Sequence, residues 1–280
     1  MGILLSYIQA DELLVAHRMK QTSVVTSLDL GLTTSKVELS NAGIVFQDGQ
    51  QLSWGQVEEI SKTKNVCFQL AVSHLHKIQT FSDETNRFCS LMPTTGAPTL
   101  LIAGFPMHRI KNTDPYRDTL SKIKAIAPIS GRVLDTTTGL GYTAIEASRT
   151  AQSVVTVELD PTVLDIARQN PWSKLLFENP KISQLIGDSS EVITELPNGA
   201  FTHIVHDPPT LSLAGELYSG TFYRELFRVL RRGGRLFHYI GDLDSQLGHR
   251  VAKGAIHRLK DAGFVNAKPY PQAFGIVATK

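Results

Sequence analysis

Along the first hundred residues the apolar positions fall in short runs separated by polar or glycine-containing turns. Residues 24–28, 36–39 and 43–46 are β-type runs, and an Asp48-Gly49 pair marks a tight turn before a further run at 51–53. Ser53 followed by Gln56 is a capping box, opening a helix through Val57, Ile60 and Lys62. Strand-like runs resume at 66–72, 76–81, 87–92 and 99–103. This pattern predicts a small β-rich domain over 1–112.

From Asp114 the pattern changes. Asp114-Pro115 is a helix start, an acceptor side chain followed by proline in the first turn, and leads into 116–126. Apolar strands at 132–137, 153–159, 182–188, 201–207 and 235–241 then alternate with helices at 142–149, 161–169, 190–196 and 218–230. A last helix at 246–262 precedes two strand-like runs at 265–270 and 274–279. Repeated units of this kind predict an α/β domain over 113–280, built on a doubly wound, mostly parallel sheet of seven strands. Ligands of such sheets bind at the carboxyl ends of the strands, so chemistry is sought there.

Composition narrows the partners. The 280 residues carry 28 Lys and Arg against 26 Asp and Glu, a net charge of +2, too small an excess to argue for nucleic acid or membrane on global charge. Two cysteines, Cys67 and Cys89, are too few for a disulfide framework and fit a reducing compartment. The opening run MGILLSYIQADELL lacks a basic flank and meets Asp11 and Glu12 early, so it reads as neither signal peptide nor membrane span. The expectation is a cytoplasmic protein, with a homodimer among the assemblies open to it. His74-x-His76 has no accompanying carboxylate or cysteine at ligand spacing, so no metal is expected.

The first strand end reads Val133-Leu134-Asp135-Thr136-Thr137-Thr138-Gly139-Leu140-Gly141-Tyr142-Thr143-Ala144. Glycines at 139 and 141 allow a sharp turn and close approach to a ligand, and Ala144 allows tight helix packing. The GxGxxA spacing recurs by chance in many chains; here a strand precedes it and a helix follows. Carboxylates stand at the next strand ends as well: Glu158 inside Val157-Glu158-Leu159-Asp160-Pro161, and Asp188 after Gly187. Glu158 lies where a ribose is held, whereas Asp160, followed by proline, reads as a helix cap. At the fourth end, His206-Asp207-Pro208-Pro209-Thr210, the prolines fix the turn and withhold their N–H groups. The Asp207 carboxylate and the Pro208 carbonyl then form a pair of acceptors suited to gripping an N–H₂ group. By strand parity His206 points away from Asp207, as a core histidine would.

The order Asp135, Gly139-x-Gly141, Glu158, Asp188 and His206-Asp207-Pro208-Pro209 resembles class I S-adenosylmethionine-dependent methyltransferases over roughly residues 114–280. Residues 136–144 and 214–218 resemble most closely a group of uncharacterised archaeal-type methyltransferases. The resemblance implies a Rossmann-like fold and S-adenosyl-L-methionine as cofactor. Gly139 and Gly141 would pass beneath its methionine part, Glu158 hold the ribose and Asp188 face the adenine, with Asp135 and Thr137 completing the site. Thr137 stands where many members carry a further glycine. Asp207 and Pro208 would be catalytic, with Pro209, Glu216, Tyr218 and His238 on the acceptor side. In that family Asp-Pro-Pro followed by an aromatic marks amino-group methylation, often of a nucleic-acid base; Thr210 in the aromatic's place removes the stacking surface. A cysteine nucleophile near the loop, which methylation at a pyrimidine carbon needs, is absent, since both cysteines precede the α/β domain. Nucleic acid, protein and small amines all stand as acceptors.

Two other readings compete. Aminopropyltransferases of the spermidine synthase type also join an N-terminal β domain to this nucleotide fold and use decarboxylated S-adenosylmethionine. Glu216, Asp242 and Asp244 are candidates for lining a polyamine channel, but 206–209 does not resemble that family's catalytic stretch. The third reading is a non-catalytic module that binds S-adenosylmethionine.

Overall fold

In the computed structural model residues 2–72 and 74–280 are described, and the chain divides into two units, Met1–Pro115 with Asp165–Trp172 and Tyr116–Leu164 with Ser173–Lys280. The first unit holds three antiparallel sheets. Ile3–Leu5, Phe68–Ala71 and His74–Lys77 form one; Ser23–Thr26, Ser35–Leu39, Gly43–Val45 and Gln51–Ser53 form the second. The third runs in the order Phe105–Pro106, Thr99–Ile102, Arg87–Met92 and Gln79–Ser82. Helices Tyr7–Arg18 and Trp54–Lys62 contribute Leu13, Val57 and Ile60 to a core shared with Leu5, Ile44, Leu52 and Phe68. The second helix starts at the expected capping box: Gln56 N–H donates to Ser53 Oγ at 3.3 Å, and Ser53 N–H to Gln56 Oε1 at 2.9 Å.

This unit differs from the sequence reading at its opening and at 76–81, and it adds the short strand Phe105–Pro106. The apolar opening is a strand and a helix, Ile3–Leu5 and Tyr7–Arg18, joined by a second capping box at Ser6 and Gln9. The single run expected at 76–81 is two strands in different sheets. They break at buried Ile78, whose N–H donates to the Cys67 carbonyl while its own carbonyl accepts from Leu91.

The second unit is built on one seven-stranded sheet: β1 (Arg132–Asp135), β2 (Ser153–Glu158), β3 (Ile182–Ile186), β4 (Phe201–His206), β5 (Leu230–Tyr239), β6 (Val265–Tyr270) and β7 (Gly275–Thr279). The spatial order is β3-β2-β1-β4-β5-β7-β6; the first five strands are mutually parallel, and β7 runs antiparallel to both β5 and β6. Every residue of β4 is buried, the signature of a strand covered on both faces. Helix Gly220–Val229 packs Phe222, Tyr223, Leu226 and Val229 onto a core with Leu134, Ile204 and Leu236. The predicted helix over 218–230 is shorter because Ser219 caps it, its Oγ accepting from Phe222 N–H at 3.1 Å; a separate 3-10 turn, Gly215–Tyr218, precedes it. No described helix is long and apolar enough to cross a membrane.

This order puts β1 between β2, which follows it, and β4, which the chain reaches after turning back past β1. The crevice at such a reversal lies at the carboxyl ends of β1 and β4. Asp135 ends β1 and Asp207 follows β4, so topology alone brings these two carboxylates together.

Candidate functional site

The glycine loop is held from three sides. Thr136 pairs through its hydroxyl with His206 Nδ1 at 2.7 Å. Thr137 Oγ1 donates to the Asp207 carbonyl at 2.8 Å, and Thr138 Oγ1 meets Thr156 Oγ1 at 2.7 Å. The Thr137 hydroxyl therefore ties the β1 loop to the β4 loop, a link a glycine at that position would not make. Gly139 has φ +53° with open space where a Cβ would stand. Gly141 has φ +77° and faces Leu176, whose Cδ2 would lie 2.6 Å from an added Cβ. Gly141→Ala combines left-handed strain with a clash against a fully buried leucine, so we expect a loss of about 2–4 kcal/mol. Gly139→Ala carries the strain alone, about 1–2 kcal/mol. Urea unfolding of the two variants measures the difference; equal losses would show that Leu176 yields.

Carboxylates line the strand ends. Glu158 is partly buried: its Oε2 accepts from Gly139 N–H at 2.8 Å and its Oε1 from Asp160 N–H at 3.2 Å. Burial pushes its carboxyl up to about 7, against the pull of those backbone donors. Asp135 is wholly buried. Its Oδ2 accepts from Thr156 at 2.9 Å and Thr143 at 3.1 Å, and its Oδ1 has no partner. Burial, with the nearby Asp207 and Glu158 charges, raises Asp135 to about 8. Asp188 caps helix Ser189–Glu195, its Oδ1 accepting from the N–H and hydroxyl of Ser190, both at 2.7 Å. Asp160 caps its own helix through Thr162 N–H at 2.9 Å.

Asp207 is not the free acceptor that the sequence suggests. Its Oδ2 lies 2.6 Å from Lys122 Nζ, which is also 2.9 Å from Asp118 Oδ2 and sits 4.6 Å above the centre of the Tyr239 ring. Lys122 is 2% exposed, Asp118 1% and the Asp207 side chain 16%. The two carboxylates hold the Lys122 ammonium charged, well above the ordinary lysine range despite its burial. Sequence reasoning missed this lysine. Its signal was present: Asp118, Lys122 and Ile126 are spaced by four and all buried, whereas Leu120 on another side of helix Pro115–Ala125 is exposed.

The expected acceptor-side residues separate into surface and core. Glu216 is exposed on the 3-10 turn and Pro209 half-buried, while Pro208 is buried. Tyr218 is buried under the turn and donates its hydroxyl to the Pro209 carbonyl at 3.0 Å, bracing the loop from beneath. His238 also lies in the core rather than on a pocket wall, its Nε2 2.8 Å from the Tyr223 hydroxyl and its ring 4.4 Å from that of His206. The turn folds inward because His206 Nε2 bonds the Leu217 carbonyl at 2.9 Å, which draws Leu217 and Tyr218 onto the sheet. Burial pushes His206 down to about 3 and His238 well below the ordinary histidine range, so both rings are neutral. Among the described residues no group of three or more His, Cys, Asp or Glu is placed to hold a metal ion.

Comparison with known proteins agrees with this architecture. A family described as Conserved hypothetical protein 95 matches residues 112–218. A spermidine synthase in complex with the transition-state analogue AdoDATO superposes with a TM-score of 0.59 at 19% identity, over 73% of this chain and 74% of that one. MNMC2 from Aquifex aeolicus superposes with a TM-score of 0.50 at 20% identity, over 71% and 72% of the two chains. Both likenesses show a shared Rossmann-like fold. Uncharacterized protein MJ1233 of Methanocaldococcus jannaschii is 40% identical over 263 residues, 92% of this chain and 89% of its own length, and this chain therefore belongs to the same family as MJ1233.

Proposed function

We propose that the chain is an S-adenosylmethionine-dependent methyltransferase whose acceptor is an amino nitrogen. The observation that carries this reading is a carboxylate at each of four parallel strand ends: Asp135, Glu158, Asp188 and Asp207. A cationic, phosphate-free nucleoside would favour the charged forms of these carboxyls, whereas a pyrophosphate would oppose them. The open space over Gly139 and the unpartnered Asp135 Oδ1 are compatible with a ligand resting on the glycine loop. Glu158 would hold the ribose hydroxyls and Asp188 would face the base. When bound, S-adenosylmethionine supplies a methyl group on a sulfonium.

What the chain does is grip and orient. The acceptor nitrogen must present its lone pair, so its N–H bonds are what the protein can hold. Asp207 and the Pro208 carbonyl would be the acceptors that do so, and positioning of this kind accounts for a large share of such a rate. His206 takes no part as a base, because both its ring nitrogens are engaged and burial disfavours the protonated ring.

The test is parallel calorimetric titration with S-adenosylmethionine and its decarboxylated form. Preference for the intact molecule supports methyl transfer and directs a search with labelled methyl donor across RNA, protein and small-amine fractions. Preference for the decarboxylated form replaces the reading with aminopropyl transfer, and tight binding without transfer to any fraction replaces it with a sensor module. Glu158 gives a pH signature as well. Ribose hydroxyls donate to an ionised carboxylate, and Glu158 takes up a proton near pH 7. Affinity should therefore fall as the pH drops from about 8 to about 6. Glu158→Gln should weaken binding about ten- to a hundredfold and flatten that dependence. A Gln variant with unchanged affinity would put the ribose elsewhere.

A further inference from the structure

We infer that Lys122 is a positioning residue: its ammonium holds Asp207 by one oxygen, Oδ2, and leaves Oδ1 as the oxygen that meets the acceptor amine. The inference rests on the methyltransferase reading for what Oδ1 meets, but its geometry stands by itself. An ammonium has three N–H bonds and no acceptor. One of them donates to Asp207 Oδ2 at 2.6 Å, Asp118 Oδ2 forms an ion pair with the nitrogen at 2.9 Å, and the face of Tyr239 lies 4.6 Å from it. The ammonium is therefore buried between two carboxylates and an aromatic face, with its hydrogen bond directed at Asp207.

The arrangement sets two properties of Asp207. The first is orientation, because a carboxylate bonded through one oxygen to a buried ammonium is fixed in rotation, and its other oxygen has one direction. The second is charge. Asp118, Lys122 and Asp207 together carry a single negative charge, so a nitrogen that becomes cationic meets a complementary site. Burial raises Asp207 above the ordinary carboxylate range, and the Lys122 charge opposes that rise, favouring the ionised, hydrogen-bond-accepting form. Asp118 acts in the opposite sense, as a second negative charge on the same ammonium. Asp207 further faces Asp135 from β1 and Tyr218 from the 3-10 turn, and Tyr239 from β5 faces the Lys122 ammonium. None of these changes in the variants below.

The test follows the Asp207 carboxyl itself by ¹³C NMR on aspartate-labelled protein, its line assigned through Asp207→Asn. In Lys122→Met the titration midpoint should rise by about one pH unit or more, because burial then acts unopposed. In Asp118→Asn it should fall, since the lysine is left to Asp207 alone. Lys122→Arg should restore a midpoint near that of the parent protein. Midpoints that stay put in Lys122→Met and Asp118→Asn overturn the inference, as does a shift of the same sign in both. If Lys122→Met does not fold, the near-isosteric Asp118→Asn decides alone, with a lowered midpoint in favour and an unmoved or raised one against. S-adenosylhomocysteine binding, measured by calorimetry on the same samples, separates the two levels. Absent binding with shifting midpoints defeats the methyltransferase reading, whereas binding with unmoved midpoints defeats the role of Lys122.

Discussion

Asp207→Asn should lower methyl transfer by about a hundredfold to a thousandfold while leaving affinity for S-adenosylhomocysteine nearly unchanged. Asparagine is the informative substitution because it keeps the shape and reverses one polarity. Lys122 offers only donors, so the amide must turn its oxygen toward the ammonium 2.6 Å from the present Oδ2. Its NH₂ is then the group left for the acceptor, and a donor faces the N–H bonds that an acceptor was holding. The effect falls on orientation of the nucleophile, which contributes to the barrier and not to cofactor binding. Asp207→Ala is a poorer probe, since it also strips a buried lysine of one partner. The measurement is transfer of labelled methyl into the responsive fraction, alongside calorimetry. Turnover at the parental level in the Asn variant would sink the assignment of Asp207, and a matching loss of cofactor affinity would place it in the cofactor site instead.

The contrast between Asp207, readable from sequence, and Lys122, overlooked, shows how far a linear pattern reaches. Strands covered on both faces appear as continuous apolar runs, and β4, buried at all six positions of Phe201–His206, was plain for that reason. The loop from Asp135 to Gly141 was equally plain, because positive φ at residues 139 and 141 requires what the sequence supplies. The opening segment was not. Asp11 and Glu12 look like interruptions of an apolar stretch, yet Gln9, Ala10, Leu13 and Ala16 form the buried face of the helix and the acids belong to its outer side. His238 and Tyr218 failed differently: parity and loop position bring a residue near a site but cannot say whether a helix such as Gly220–Val229 covers it. Lys122 is the extreme case. A lysine at helical spacing reads as solvated, and the partner that makes it a core residue lies 85 positions further along the chain.

Loss of that lysine should be the most destabilising single change in the site. Lys122→Met keeps the length and apolar stem of the side chain and removes only the charge and its three donors. Asp207 then loses its donor at 2.6 Å and Asp118 its ion pair at 2.9 Å, and breaking a buried ion pair from one side costs about 3–5 kcal/mol. The loss should depend on pH in a definite direction. Without the ammonium, Asp207 has a folded-state proton affinity raised above its unfolded value by burial and by the nearby Asp118 charge, with nothing from Lys122 to oppose them. A carboxyl raised in this way contributes stability that is fully present below its unfolded pKa and is lost as the pH rises through its folded one. The variant should therefore lie closest to the parent protein near pH 5 and fall furthest behind above neutrality. In the parent protein Lys122 itself is raised, so its contribution disappears only at strongly alkaline pH, outside that window. Adding Asp118→Asn to Lys122→Met removes the like charge beside Asp207 and should recover part of the loss, with a coupling of about 0.5–3 kcal/mol between the two positions. Urea unfolding at pH 5 and pH 8 measures all of this. A Lys122→Met protein with parental stability at both pH values would mean that the triad carries no net weight in the fold, and a deficit larger at pH 5 than at pH 8 would mean that the stranded groups are not these carboxylates.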